Sequence, residues 1–125
     1  MSELKNQISQ FIDTNAKIYQ DISLAIHAKP EVSDFEYFAS QTLSEQLKKE
    51  GFEIELPAAG HRTGFAATYK SNKPGPTVVF LAEYDALAGL GHGCGHNVFG
   101  ATSSLAGAAL KSVVDQIGGE VRVYG

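Results

Sequence analysis

The sequence holds one cysteine, Cys94, so no disulfide can form within the chain. That thiol is left as a buried bystander, a reactive group or a metal ligand, depending on its neighbours. A surplus of basic residues is also missing. Ten lysines and arginines against fourteen aspartates and glutamates give a net charge of -4. With the two signs interspersed there is no electrostatic footprint for a nucleic-acid backbone or an anionic membrane surface, so neither partner is expected. The opening residues lack the basic segment and apolar core of a secretory signal, and no later apolar run is long enough to span a bilayer. A cytoplasmic protein is expected. Repeats, low-complexity tracts and linkers are absent as well. What remains is 125 residues, 43% of them hydrophobic, enough for one domain around one core.

Helical spacing comes first. Ile8, Phe11, Ile12, Tyr19, Ile22 and Ile26 predict one long amphipathic helix, which Pro30 stops. Ser33-Asp34-Phe35-Glu36 has the form of a capping box, opening a second helix through Phe38, Ala39, Leu43 and Leu47 that Gly51 ends. Beyond Gly51 the period falls to two: Phe52, Ile54 and Leu56 alternate with Glu53 and Glu55, a strand expected near a sheet edge. Residues 64–70 predict a second strand. After the turn Ser71 to Pro76, the run Thr77 to Ala82 is apolar on both faces, which predicts a central strand. A glycine-rich loop from Gly89 to Gly95 leads into a helix of small residues, Asn97 to Ile117, and then a strand, Glu120 to Tyr124, expected to lack a covering element. Strand, helix and strand from Thr77 to Tyr124 form a crossover unit, which implies parallel pairing. The fold class is α/β, a small sheet with a parallel crossover unit and flanking helices. Ligands in such sheets gather beyond the carboxyl ends of the strands, here Glu83-Tyr84-Asp85 and the glycine loop.

That loop, Leu90-Gly91-His92-Gly93-Cys94-Gly95-His96-Asn97, sets one thiol and two imidazoles within five positions, with glycines that permit unusual backbone angles. Cys94 and His96 flank one glycine, so both side chains can turn toward one centre, and thiolate with neutral imidazole suits zinc. Asp85 could supply or orient a carboxylate there, or merely cap the loop through its own backbone. His92 reads as a supporting or loop-structuring residue, Tyr84 as packing, and Glu83 as either a paired carboxylate or a solvated strand end. His27 and His61 are isolated and are assigned nothing. A phosphate-binding loop is excluded, because neither G-x-G-x-x-G nor G-x-x-x-x-G-K-[ST] occurs. A cysteine hydrolase meets the composition only, with Cys94 beside His92 and His96 but no identifiable oxyanion hole.

The segments Phe80-Leu81-Ala82-Glu83-Tyr84-Asp85-Ala86-Leu87 and Gly91-His92-Gly93-Cys94-Gly95-His96-Asn97 resemble the aminoacylase and amidohydrolase branch of metallopeptidase family twenty, within it the aminobenzoyl-glutamate hydrolase and dipeptidase-like subgroup. Ile26 to Glu31 resembles that family's early helix-ending motif, and Gly60 to Ala67 its loop and strand before the central strand. The resemblance implies a three-layer α/β/α zinc-peptidase-like catalytic domain, with residues 1–125 as its N-terminal part. It implies Cys94 as a metal ligand bridging two ions, His96 as a second ligand, and Asp85 as the acidic residue that orients the site. The cofactor implied is a divalent metal, zinc or manganese, with two ions in the complete enzyme. Glu83 stands where other branches carry a ligand histidine, and Ala88 replaces a usual proline.

The activity implied is hydrolysis of amide or peptide bonds in small N-acyl amino acids or dipeptides, by a homo-oligomer. Family members carry a glutamate pair after the strand matching Val121 to Tyr124, one serving as general base, then further histidine ligands and a dimerisation domain. This sequence stops at Gly125, before them. The bare residue count agrees, since a catalytic zinc takes three protein ligands and a two-metal site takes more than Cys94, His96 and one carboxylate. An inactive isolated chain is therefore expected. The alternative expectation is a non-catalytic binding or assembly fragment that pairs with a separate remainder through its last strand.

Overall fold

The computed structural model describes residues 2–125. Helix α1 (Ser2–Ala28) follows the long amphipathic pattern and buries Tyr19, Ile22 and Ile26 along its second half, chiefly against helix α3 (His96–Ile117). Helix α2 (Tyr37–Lys49) buries Ala39, Leu43 and Leu47, and Gly51 ends its last turn with φ at +103°. Its start departs from the capping-box expectation. The Glu31 carboxylate, not Ser33, accepts the free amides of Phe38 and Ala39 at 2.9 and 3.0 Å. The reason is tertiary: Val32 bridges to Ala86 and the Glu31 carbonyl accepts the Ala86 amide at 2.7 Å, so residues 31–32 are held where Glu31 lies ahead of the helix. Glu36 instead buries its carboxylate and accepts the Thr63 hydroxyl at 2.8 Å.

Four strands form one sheet in the order β1-β2-β4-β3, with β1 (Glu53–Glu55), β2 (Ala66–Lys70), β3 (Thr77–Leu81) and β4 (Glu120–Tyr124). The glutamate-flanked β1 lies at an edge, as its alternation predicts. Parallel pairing of β3 with β4 confirms the crossover, and the other neighbours are antiparallel. The places of the two crossover strands are reversed from expectation. The apolar β3 is the second edge, with Val78, Val79 and Leu81 exposed, whereas β4 is interior and fully buries Val121 and Val123. Apolarity on both faces marks a strand that needs cover on both sides, and among the described residues no strand pairs with the outer edge of β3. β4 consequently offers no free edge for pairing with a partner.

Small residues let α3 lie on the sheet. A Cβ on Gly107 would stand 2.4 Å from the Val123 side chain, so only glycine allows that approach. The core gathers Ile26, Leu43, Leu47, Phe52, Phe65, Ala108 and Val121. On the other face of β4, Arg122 reaches Glu120 and the Tyr124 hydroxyl at 2.8–3.2 Å, a half-buried polar ladder. Among the described residues no helix is long and apolar enough to cross a membrane.

Candidate metal centre

Beyond β3 the chain continues with burial that alternates: Ala82, Tyr84 and Ala86 are buried, Glu83 is exposed and Asp85 half-buried. The inward residues anchor the segment. The Ala82 amide donates to the Tyr124 carbonyl at 2.8 Å, the Tyr84 hydroxyl to the Thr63 carbonyl at 2.6 Å, and the Ala86 amide to the Glu31 carbonyl at 2.7 Å. Glu83 and Asp85 are thereby left on the outward side, beyond the carboxyl end of the strand. The glycine loop folds back on itself through reciprocal Leu87 and Gly91 bonds at 2.9 and 3.0 Å, then Gly95, with φ at +77°, turns the chain into α3.

His96 is the first residue of α3, and its ring lies between the two carboxylates. Nδ1 is 2.7 Å from Asp85 Oδ1, and Nε2 is 3.1 Å from Glu83 Oε2. Phe99 steadies the ring edge-on, with centroids 6.0 Å apart. A neutral imidazole carries one N–H. With that proton donated to Asp85, the Nε2 lone pair faces a carboxylate oxygen, an arrangement that becomes favourable only when a proton or a metal cation lies between them. One ligand atom from each of Glu83, Asp85 and His96 lies within 4.8 Å of the other two. Imidazole with hard carboxylates fits a divalent ion such as zinc or manganese.

Two of the residues singled out in the sequence, Asp85 and His96, thus meet. Cys94 is an exposed free thiol and is not among the three. Glu83, left undecided by its sequence context, is brought to the cluster. The signal available was its two-residue spacing from Asp85 at a strand end, which puts both on one face. His92 stacks on His27, with centroids 6.1 Å apart and planes at 29°. Burial, then the neighbouring His27 and His96, hold its pKa below the usual histidine value. Neither ring nitrogen finds a partner at hydrogen-bonding geometry, although the Ile26 carbonyl lies near enough to favour the protonated form slightly. Beside the carboxylates opens a cleft of about 230 Å³, lined by Glu36, His61, Thr63 and Gly125 among others. A larger cavity of about 430 Å³ between α1 and α3, lined by Tyr19, Leu24, Val98 and Leu105 among others, has no histidine, cysteine or carboxylate in its lining.

No family model matches the chain. Individual proteins do. One of the subunits of the p-aminobenzoyl-glutamate hydrolase of Escherichia coli (strain K12) is 32% identical over an alignment of 144 positions, covering 100% of this chain and 30% of that protein. The Xaa-Arg dipeptidase of Mus musculus is 34% identical, over 91% of this chain and 28% of that protein. Among solved structures, a dinuclear metal-binding peptidase of the M20 family from Bacillus subtilis shares the fold with a TM-score of 0.69 at 22% identity, over 90% of this chain and 35% of its own. The chain spans less than a third of the length of the two curated relatives named.

Proposed function

Because the chain belongs to the amidohydrolase branch of metallopeptidase family twenty, we propose that it supplies part of the metal site of an enzyme hydrolysing amide or peptide bonds in small N-acyl amino acids or dipeptides. The observation that carries the reading is His96 set between Asp85 and Glu83. Asp85 accepts the Nδ1 proton, which fixes the tautomer and presents Nε2 as a ligand. Glu83 adds a carboxylate on the ligand side. Cys94, one glycine before His96, is the further ligand we assign, as thiolate. A divalent ion held by these groups would supply Lewis acidity for polarising a carbonyl and for making water more acidic. We assign zinc or manganese, two ions in the complete enzyme, and a cytoplasmic homo-oligomer in which residues 1–125 form the N-terminal part of the catalytic domain.

The ligands come from two short stretches, 83–85 and 94–96, and Cys94 must lose a proton to bind, a cost that keeps affinity low until further ligands complete the shell. The 125-residue chain alone is therefore expected to bind Zn²⁺ or Mn²⁺ weakly and to turn over no substrate. Fused to the matching remainder of a curated relative, it is expected to hydrolyse dipeptides or N-acyl amino acids, with activity lost in Cys94→Ser and His96→Ala. A metal-loaded fusion inert toward all of them sinks the reading. Tight stoichiometric metal and turnover in the isolated chain, abolished by either substitution, sink the claim that its site is incomplete.

A further inference from the structure

The carboxylates at the centre are exposed or half-buried, yet the backbone that carries them is fastened by buried groups, none of them among the three that meet at the cluster. Tyr84, between Glu83 and Asp85, is buried; its ring stacks on Phe65 with planes 7° apart, and its hydroxyl donates to the Thr63 carbonyl at 2.6 Å. Thr63 in turn donates its own hydroxyl to the buried carboxylate of Glu36 at 2.8 Å. Glu36 stands at the start of α2, where its carbonyl accepts the Ser40 amide at 3.0 Å. The chain of contacts therefore runs from the frame of α2, through one residue of the loop before β2, to the residue between the two acids.

We infer that Tyr84, Thr63 and Glu36 are positioning residues that hold Glu83 and Asp85 outward toward His96. The inference rests on the metal-site reading above. The physical ground is the period of the segment. With Ala82, Tyr84 and Ala86 inward, both acids point out. A slip by one position would turn both acids into the core and the tyrosine into solvent. Ala82 is fixed by the sheet and Ala86 by Glu31, so the side-chain bond of Tyr84 is the one that sets the middle of the segment. Loss of the hydroxyl leaves the ring and its stacking in place but frees Asp85 to rotate relative to Nδ1, and a ligand shell tolerates little of that.

The test is Co²⁺ titration of the 125-residue chain, read by visible absorption and by the paramagnetic shift of the His96 ring protons, with thermal unfolding measured on each variant. Tyr84→Phe and Thr63→Val are expected to weaken Co²⁺ binding about tenfold and broaden its absorption band. Glu36→Gln, whose amide oxygen still accepts from Thr63, is expected to bind like the parent, and Glu36→Leu to fall with Tyr84→Phe. Stability alone would rank the variants by Tm and leave the affinity of any folded one unchanged. Parent-like affinity and spectrum in Tyr84→Phe and Thr63→Val overturn the inference. Should Tyr84→Phe unfold, equal affinities for Glu36→Gln and Glu36→Leu overturn it instead. His96→Ala separates the two layers of reasoning: a Co²⁺ signal unaffected by it refutes the metal site itself, whereas a signal lost there and retained in the relay variants refutes only the relay.

Discussion

Helix α3 and the loop that feeds it are both built on glycine, for opposite reasons. In the helix, Gly100 and Gly107 are crowded: a Cβ on Gly107 meets Val123 at 2.4 Å, and one on Gly100 meets the Glu83 carbonyl and the Leu43 side chain at 3.0–3.1 Å. In the loop, Gly89, Gly91 and Gly95 have φ between +74° and +90° and nothing within 4 Å of where a Cβ would be. One set permits close approach of a helix to a sheet; the other permits a backbone shape that delivers His96 to its carboxylates. The same residue type thus stabilises the core on one side of Gly95 and shapes a site on the other, so substitutions in the two regions should separate stability from metal binding.

Gly107→Ala should be the most damaging, costing roughly 3 kcal/mol in chemical denaturation, because overpacking against the interior β4 has nowhere to relax. Metal affinity per folded molecule should be unchanged; a parental midpoint would mean that the helix does not approach the sheet this closely. Next in size is an alkaline effect at the junction of the two regions, where Tyr84 packs beneath Gly100. Its folded pKa of about 12 exceeds the unfolded value near 10, so stability is fully present below pH 10 and is lost as pH rises from there toward 12. The Tyr84 share of that loss should be on the order of 2 kcal/mol, so urea melts across that range should fall less steeply for Tyr84→Phe, in which Tyr19, its phenol also pushed up by burial, still contributes. Gly91→Ala should cost about 1 kcal/mol through its φ of +90° alone, with no clash, while weakening Co²⁺ binding more than Gly107→Ala does. A stable variant with parental affinity would show the loop shape to be dispensable. Smallest of all, Lys17→Ala, which breaks an exposed pair with Asp21 on the outer face of α1, should change stability by at most about 0.5 kcal/mol and affect neither region.

Local periodicity carried much of this architecture. The glutamates flanking Ile54 marked an edge strand, and the alternation between turn and helix signals located α3 and the crossover. Tertiary arrangement defeated the rest. β3 looks central because its composition records a need for cover on both faces, and composition does not say whether a neighbour is present within the chain. Ser33 and Glu36 have capping-box spacing, but pairing of Val32 with Ala86 moves the chain so that Glu31 takes the cap. At the candidate site, Asp85 and His96 could be singled out because a carboxylate follows a strand and the glycine loop sets a thiol and two imidazoles within five positions. Glu83 could not, since only the burial of Tyr84 beside it decides which way it faces. The contacts of Thr63 with that tyrosine and with Glu36 join positions 21 and 27 residues apart, beyond any sequence window.

The outer edge of β3 has a practical consequence in the test tube. Val78, Val79 and Leu81 belong to a strand whose outer edge is unpaired among the described residues, with no charged side chain among its five residues, Thr77 to Leu81. Unpaired amides and carbonyls beside apolar side chains are a template for a second such strand, and natural edges are usually protected by lysine, proline or a bulge. Preparations of this chain should therefore have a solubility ceiling, with light scattering that rises steeply with concentration and seeds readily. A single gatekeeper, Val79→Lys, should raise that ceiling without shifting the melting curve of the folded monomer.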